Sequence, residues 1–152
     1  MFRKGSFTII ELLIVIAVIG ILVGLALPRF KGLQEEANIA KAKSELRVLQ
    51  TAVESYYMHN NNTYPSTGAT WEDALVNSTP RIISAAINDP FNNTVQYGYA
   101  NDGGTPVNYY VLYSVGTAMN GTASVGVNGT VSETNGASCI YATNGVTRDT
   151  QP

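Results

Sequence analysis

From Phe7 to Leu27 only Thr8 and Glu11 are conventionally polar. As a helix rising about 1.5 Å per residue, this segment spans roughly 31 Å, the thickness of a bilayer's hydrocarbon core. After Pro28 the uniform run gives way to an amphipathic one. Ile39, Ala42, Leu46, Leu49, Val53 and Tyr56 recur at spacings of three and four, which is one face of a helix. The other face carries Glu35, Glu36, Lys41, Lys43, Glu45, Arg47 and Glu54. With Lys41 and Glu45 attractive and Lys43 and Arg47 repulsive at i,i+4, it reads as solvated or facing a neighbouring subunit. Asn60-Asn61-Asn62 closes the pattern, so a single helix is predicted from the apolar segment to about residue 59. Pro28 lacks a backbone donor and crowds the preceding turn, which predicts a kink or local melting there.

From Tyr64-Pro65 onward the residues change to loop and strand types. Thr70-Trp71-Glu72-Asp73 has the form of a weak capping box opening a short helix through Leu75. Thr94–Ala100 and Val107–Val115, rich in Val and Tyr, flank Asn101-Asp102-Gly103-Gly104 and predict a hairpin. Along the second strand Tyr109, Val111, Tyr113 and Val115 share one side, a stripe that suits core packing. Asn-Gly steps follow at Asn120, Asn128, Asn135 and Asn144. They mark turns between short strands, with Ser124–Val127 and Ser138–Ala142 as the favoured strands; a polar low-complexity loop is the other reading.

Composition narrows the function classes. A formal net charge of −2 leaves no basic surface for nucleic acid, and after residue 60 the only cations are Arg81 and Arg148. Cys139 is the sole cysteine, so an intrachain disulfide is excluded, and it reads as a small buried hydrophobe. His59 is the sole histidine, which excludes a His/Cys metal cluster and suits a helix C-terminus.

Glu11 is the anomaly. Inside a membrane span an ionised carboxylate costs on the order of 3 kcal/mol unless a partner neutralises it. A secretory signal peptide would explain Arg3, Lys4 and the apolar run, with Gly24-Leu25-Ala26 as its cleavage site, but not Glu11 or the length of the run. A plain anchor fits the length and also leaves Glu11 unexplained. Gly20 and Gly24 either let packed membrane helices approach closely or reflect the frequency of glycine in spans.

With a basic leader Met1-Phe2-Arg3-Lys4-Gly5-Ser6 before Phe7, the chain resembles the type IV prepilin-like family of type IV pilins and type II secretion pseudopilins. Counting from Phe7, Glu11 is fifth, Gly20 fourteenth and Pro28 twenty-second, similar to the family pattern. The resemblance implies cleavage by a prepilin peptidase and N-methylation of Phe7. The family has Gly before the cut, whereas here Gly5 precedes Ser6, so cleavage after Ser6 keeps the register and cleavage after Gly5 shifts it. A cationic α-amine could then pair with the Glu11 carboxylate of an adjacent subunit and select an axial offset. The assembly set implied is Phe7, Glu11, Gly20 and Pro28.

Further on, Asn88-Asp89-Pro90-Phe91-Asn92-Asn93, Tyr97-Gly98-Tyr99 and Tyr110-Val111-Leu112-Tyr113-Ser114-Val115-Gly116 are similar to the major, G-type pseudopilin. In that group a calcium-binding loop follows; Asp102 and Glu133 could approach from elsewhere, but Thr117–Gly129 contains no acidic residue and the local pattern fails, so no metal or other cofactor is expected.

What the resemblance implies is an α+β, type IV pilin fold: a leader at 1–6, a helix at 7–60 (7–27 membrane or filament core, 28–60 amphipathic), and a small antiparallel sheet head at 61–152. The expected role is a non-catalytic subunit of a homo-oligomeric helical filament. It starts in the bacterial inner membrane with its head outside the cytoplasm, and becomes a periplasmic or extracellular filament. Its partners would be the prepilin peptidase, an inner-membrane assembly platform, and minor pilins or pseudopilins. The major pseudopilin of a type II secretion system is the leading reading. A major type IV pilin of a surface pilus (adhesion, motility or DNA uptake) is the alternative, and a membrane-anchored binding module or enzyme is the remote one.

Overall fold

The structure, a computed structural model, describes residues 7–134 and 139–146. The leader, the Asn135-Gly136 step and the expected strand start at Ser138 lie outside the described residues. In chain order the elements are α1 (Ile9–His59), α2 (Trp71–Val76), β1 (Asn88–Asp89), β2 (Asn92–Gln96), β3 (Gly98–Asn101), β4 (Tyr110–Ser114), β5 (Thr122–Val125), β6 (Val131–Thr134) and β7 (Ile140–Thr143). The class is α+β, as expected, with the strands in three small antiparallel ladders: β1-β2, β3-β4-β7 and β5-β6.

Two compact units divide within α1, one ending at Ala37 and the other beginning at Asn38. In the first, every side chain from Phe7 to Leu25 is exposed, and by length and composition the helix is apolar enough to cross a membrane. The backbone stays helical through position 28, so the expected melting is not seen. Loss of one i to i−4 bond is a local defect that intact turns on either side tolerate.

In the second unit the predicted helical face is the core. Ala42, Leu46, Leu49 and Val53 are buried, with Ile39 and Tyr56 partly buried against them. Their partners are Trp71 and Leu75 of α2 and Tyr97, Tyr99, Tyr110, Leu112 and Ile140 of the sheet region. The helix ends where expected: Asn61 and Asn62 take φ of 52° and 55°, a left-handed conformation that Asn tolerates better than most residues.

β4 is buried on both faces, which explains its unbroken Tyr-Val-Leu-Tyr sequence. Tyr110 and Leu112 face the helix, while Val111, flanked by Tyr109 and Tyr113, packs with Ala123, Val125, Val131, Cys139 and Tyr141 in a second cluster. The stripe read from alternation is thus core packing. β3 and β4 form the predicted pair, with Gly98 opposite Tyr113 and Asn101 opposite Tyr110. Gly98 leaves room for the Tyr113 ring, which an added Cβ would displace.

Several boundaries differ from expectation, each for a visible reason. The strand expected at Thr94–Ala100 breaks at Tyr97 into β2 and β3, and the Tyr97 carbonyl instead accepts the Trp71 Nε1–H at 2.8 Å. The strand expected from Val107 begins at Tyr110, since the Asn108 and Tyr109 amides donate to Asp102 Oδ2 at 3.1 and 3.2 Å. The strand expected at Ser124–Val127 is β5, Thr122–Val125, and it pairs with β6 through a Gly126–Thr130 turn where Asn128 Oδ1 accepts the Thr130 amide. The segment is therefore a hairpin rather than a polar loop. Thr70 precedes α2 but makes no side-chain cap, so the weak capping box does not form; Glu72 of its first turn points into the core.

Candidate functional site

The N-terminal segment carries the residues singled out from the sequence. Phe7 is 76% exposed, and Ile9, Ile10, Leu12 and Leu13 are exposed behind it. Thr8 and Glu11 form a reciprocal capping box: Glu11 Oε2 accepts the Thr8 amide at 3.2 Å and its hydroxyl at 3.0 Å, while the Glu11 amide donates to Thr8 Oγ1 at 3.3 Å. Glu11 therefore has a local role as a helix cap that the sequence reading missed. Its signal was present in the spacing Thr8-x-x-Glu11 before an apolar run. The carboxylate also sits in the first turn, where the helix dipole favours negative charge.

Gly20 and Gly24 lie farther along α1, and a Cβ at either would meet nothing within 4 Å. Among the described residues, their lack of a side chain serves no contact. Gly5 and Ser6 lie outside the described residues, and the backbone at Pro28 is helical. Of the predicted set, only Phe7 and Glu11 belong to the same helix end.

In the second unit, two carboxylates assigned to the solvated face of α1 turn out to be half-buried acceptors for phenols. Glu45 Oε2 accepts Tyr97 Oη–H at 2.7 Å, and Glu54 Oε1 accepts Tyr110 Oη–H at 2.7 Å, with Tyr64 at 3.4 Å from Oε2. Lys41 pairs with Glu45 at 3.8 Å, as the i,i+4 spacing predicts. Burial, reinforced by the neighbouring carboxylate, pushes the Tyr97 and Tyr110 phenols far above their usual range and Tyr64 to about 12. These tyrosines therefore remain protonated donors, and the bonds fasten the helix to the sheet. Glu54→Ala leaves the buried Tyr110 hydroxyl without an acceptor. The variant is expected to lose about 1.5–3 kcal/mol of stability, and a double-mutant cycle with Tyr110→Phe should recover most of that loss as coupling.

Asp89 joins the two motifs on which the pseudopilin resemblance rested. Fully buried, it accepts the Phe91 amide on Oδ1 at 2.9 Å and the Val115 amide on Oδ2 at 2.8 Å. The turn after β1 is thereby pinned to the end of β4, where Gly116 takes a φ of 67° and its amide donates to the buried Ser114 hydroxyl at 3.1 Å.

Asp102 is occupied as a turn former, with Oδ1 accepting the Gly104 amide at 3.0 Å. Burial works against its charge, but the amides of Gly104, Asn108 and Tyr109 outweigh it and hold its pKa below the usual carboxylate range. Among the described residues no group of three or more His, Cys, Asp or Glu side chains is placed to hold a metal ion. Cys139 is buried in the second cluster, and burial pushes its thiol up to about 12, so it is an inert core residue. His59 ends α1 and donates from Nδ1 to the Ser55 carbonyl at 2.8 Å.

Comparison with known proteins matches the N-terminal segment and the rest of the chain to different family models. The family model described as type II secretion system (T2SS), protein G matches residues 29–132, and that of the prokaryotic N-terminal methylation motif matches residues 1–27. The type II secretion system core protein G of Aeromonas hydrophila is 40% identical over 75 residues, 49% of this chain and 51% of that one. Its namesake in Vibrio cholerae serotype O1 is 32% identical over 113 residues, 68% of this chain and 76% of that one. Fimbrial protein EcpB of Eikenella corrodens is 35% identical over 95 residues, covering 62% and 58%. The match spans about half the length of the Aeromonas relative. No solved structure matches.

Proposed function

The chain belongs to the type II secretion system protein G family, and on that premise we propose that it is a non-catalytic filament subunit, the major pseudopilin of a type II secretion system. In this reading residues 1–6 are a leader removed by a prepilin peptidase, Phe7 is the methylated N-terminus, and α1 up to Leu27 is first a membrane anchor and then the filament core. The head built on Asn38–His59 of α1 and residues 61–146 is the surface that the filament displays.

One observation carries the proposal. A methylation motif covers residues 1–27, and within it the apolar helix surface from Phe7 to Leu25 is wholly exposed, with Gly20 and Gly24 open to close approach. So much apolar surface is stable in water only when covered, by lipid before assembly and by identical helices after it. The Glu11 carboxylate near its start can then take a neighbour's Phe7 amine as its partner, at a site where an unpaired charge is costly.

The test is intact mass and N-terminal sequencing of the protein recovered from filaments. The expected result is N-methyl-Phe7 with Met1–Ser6 missing. An N-terminus at Ser6 would move Glu11 to sixth place and break the proposed register; one at Leu27 would mean an ordinary signal peptide.

A second reading, a surface pilin, is favoured by the EcpB match and by the absence of acidic residues from Thr117 to Gly129. Deleting the gene separates the two: loss of protein secretion marks a pseudopilin, and loss of surface filaments with secretion intact marks a pilin.

A further inference from the structure

We infer that Glu72 is a proton-operated latch that holds the segment between α2 and β1 against the core and releases it as the carboxyl ionises. Glu72 is 0% exposed, and its Oε2 accepts the Ile87 amide at 2.6 Å while Oε1 has no hydrogen-bond partner among the described residues. The nearby donors are occupied elsewhere: Trp71 Nε1–H bonds the Tyr97 carbonyl at 2.8 Å, and Tyr97 Oη–H bonds Glu45 at 2.7 Å. The charged groups acting on Glu72 are Asp73 on its own helix and Glu45 on α1, both acids, and the Tyr97 phenol faces it from the sheet side. Lys41 of α1 is directed to Glu45 Oε1 at 3.8 Å.

A buried carboxylate so placed has two ways to settle. It keeps a proton on the unpartnered oxygen, or it opens a path to water. Burial is the main cause, with Asp73 and Glu45 adding to it against the Ile87 bond, and together they raise the pKa from 4.5 to about 7. Opening would act on the 77–87 segment, which Glu72 grips at its far end through Ile87. Its start is held to α2 by the Asn77 amide to Asp73 carbonyl bond of 2.9 Å and the Ser78 hydroxyl to Leu75 carbonyl bond of 2.8 Å, and Ile82 adds an amide to Leu75 carbonyl bond of 3.2 Å, so release would begin at the Ile87 end. Ile82 and Ile83 of that segment, with Val48, Thr51, Ala52 and Ser55 of α1, line an apolar groove of about 380 Å³. Release would therefore uncover apolar surface on the helix.

The sign follows from linkage. The closed state binds the proton more tightly than an open, solvated Glu72, so raising the pH through 7 favours opening. With pKa values near 7 closed and 4.5 open, the opening constant rises about tenfold between pH 6 and pH 8.

Hydrogen exchange read by mass spectrometry tests this on the full chain in detergent micelles, with rates corrected for intrinsic pH dependence against exposed amides of the same chain. The expected result is a tenfold rise in opening for peptides covering 77–87 in the wild type. Glu72→Gln should show a constant value, and Asp73→Asn, which removes one acidic neighbour at the surface, a rise of only about fourfold for a half-unit drop in the closed pKa. A wild-type opening constant unchanged between pH 6 and 8, or Glu72→Gln keeping the full rise, overturns the proposal. Should Glu72→Gln fail to fold, Asp73→Asn decides: a rise equal to that of the wild type overturns it.

Discussion

Replacing Glu11 with glutamine is expected to abolish filament formation while leaving the subunit inserted, folded and processed. Glutamine serves at the third helical position of a capping box as glutamate does, so it retains the bonds that Glu11 makes with Thr8. What it loses is charge. If the carboxylate takes a neighbour's α-amine in the filament core, the variant leaves that amine buried and unpaired, at a cost of about 3–5 kcal/mol per contact. At 1.4 kcal/mol per factor of ten, that is a fall of roughly 10² to 4 × 10³ in subunit affinity. Filament yield should drop below detection by electron microscopy of sheared cells, while mass spectrometry of membranes finds mature subunit at wild-type levels. Were Glu11 only a helix cap, Glu11→Gln would assemble normally and Glu11→Ala would not. The two variants together thus separate the local role seen in the structure from the proposed assembly role.

The features legible in the sequence were those written in periodicity and in local spacing. The buried stripe Ala42, Leu46, Leu49 and Val53 was readable because a helix repeats its faces every 3.6 residues whatever it packs against. The β3–β4 pair was readable from two Val- and Tyr-rich runs around an Asn-Asp-Gly-Gly turn. What failed were inferences from residue type alone. Residue type puts Glu45 and Glu54 on a solvated or subunit-facing surface, yet each is half-buried under a phenol from more than 50 residues along the chain. The break at Tyr97 was equally hidden, since it depends on an indole donor from α2. Thr8 differs: its capping pattern with Glu11 is local and legible in the spacing Thr8-x-x-Glu11 alone.

Asp89→Ala is expected to be the most destabilising single change in the head's polar core. The resemblance placed Asp89-Pro90-Phe91 and Ser114-Val115-Gly116 in succession, and their meeting is a fact of the fold alone. The carboxylate accepts one amide from each, at 2.9 and 2.8 Å, and is fully buried. Alanine removes both acceptors, leaving two amides unsatisfied at about 1–3 kcal/mol each, so a loss of about 3 kcal/mol or more is expected. That corresponds to a drop on the order of 10 °C in melting temperature for a unit of this size. The effect should also be directional. Gly121 donates to the Val115 carbonyl at 2.9 Å, so freeing the Val115 amide loosens the loop that leads into β5. Hydrogen exchange should therefore accelerate at 115–121 and around Phe91 before it does in the α1 core residues. Asp89→Asn, which keeps one acceptor oxygen but sets a donor against the other amide, should fall between wild type and alanine. A melting temperature within about 2 °C of wild type for Asp89→Ala would show that the Asp89 bonds do not hold the two motifs together.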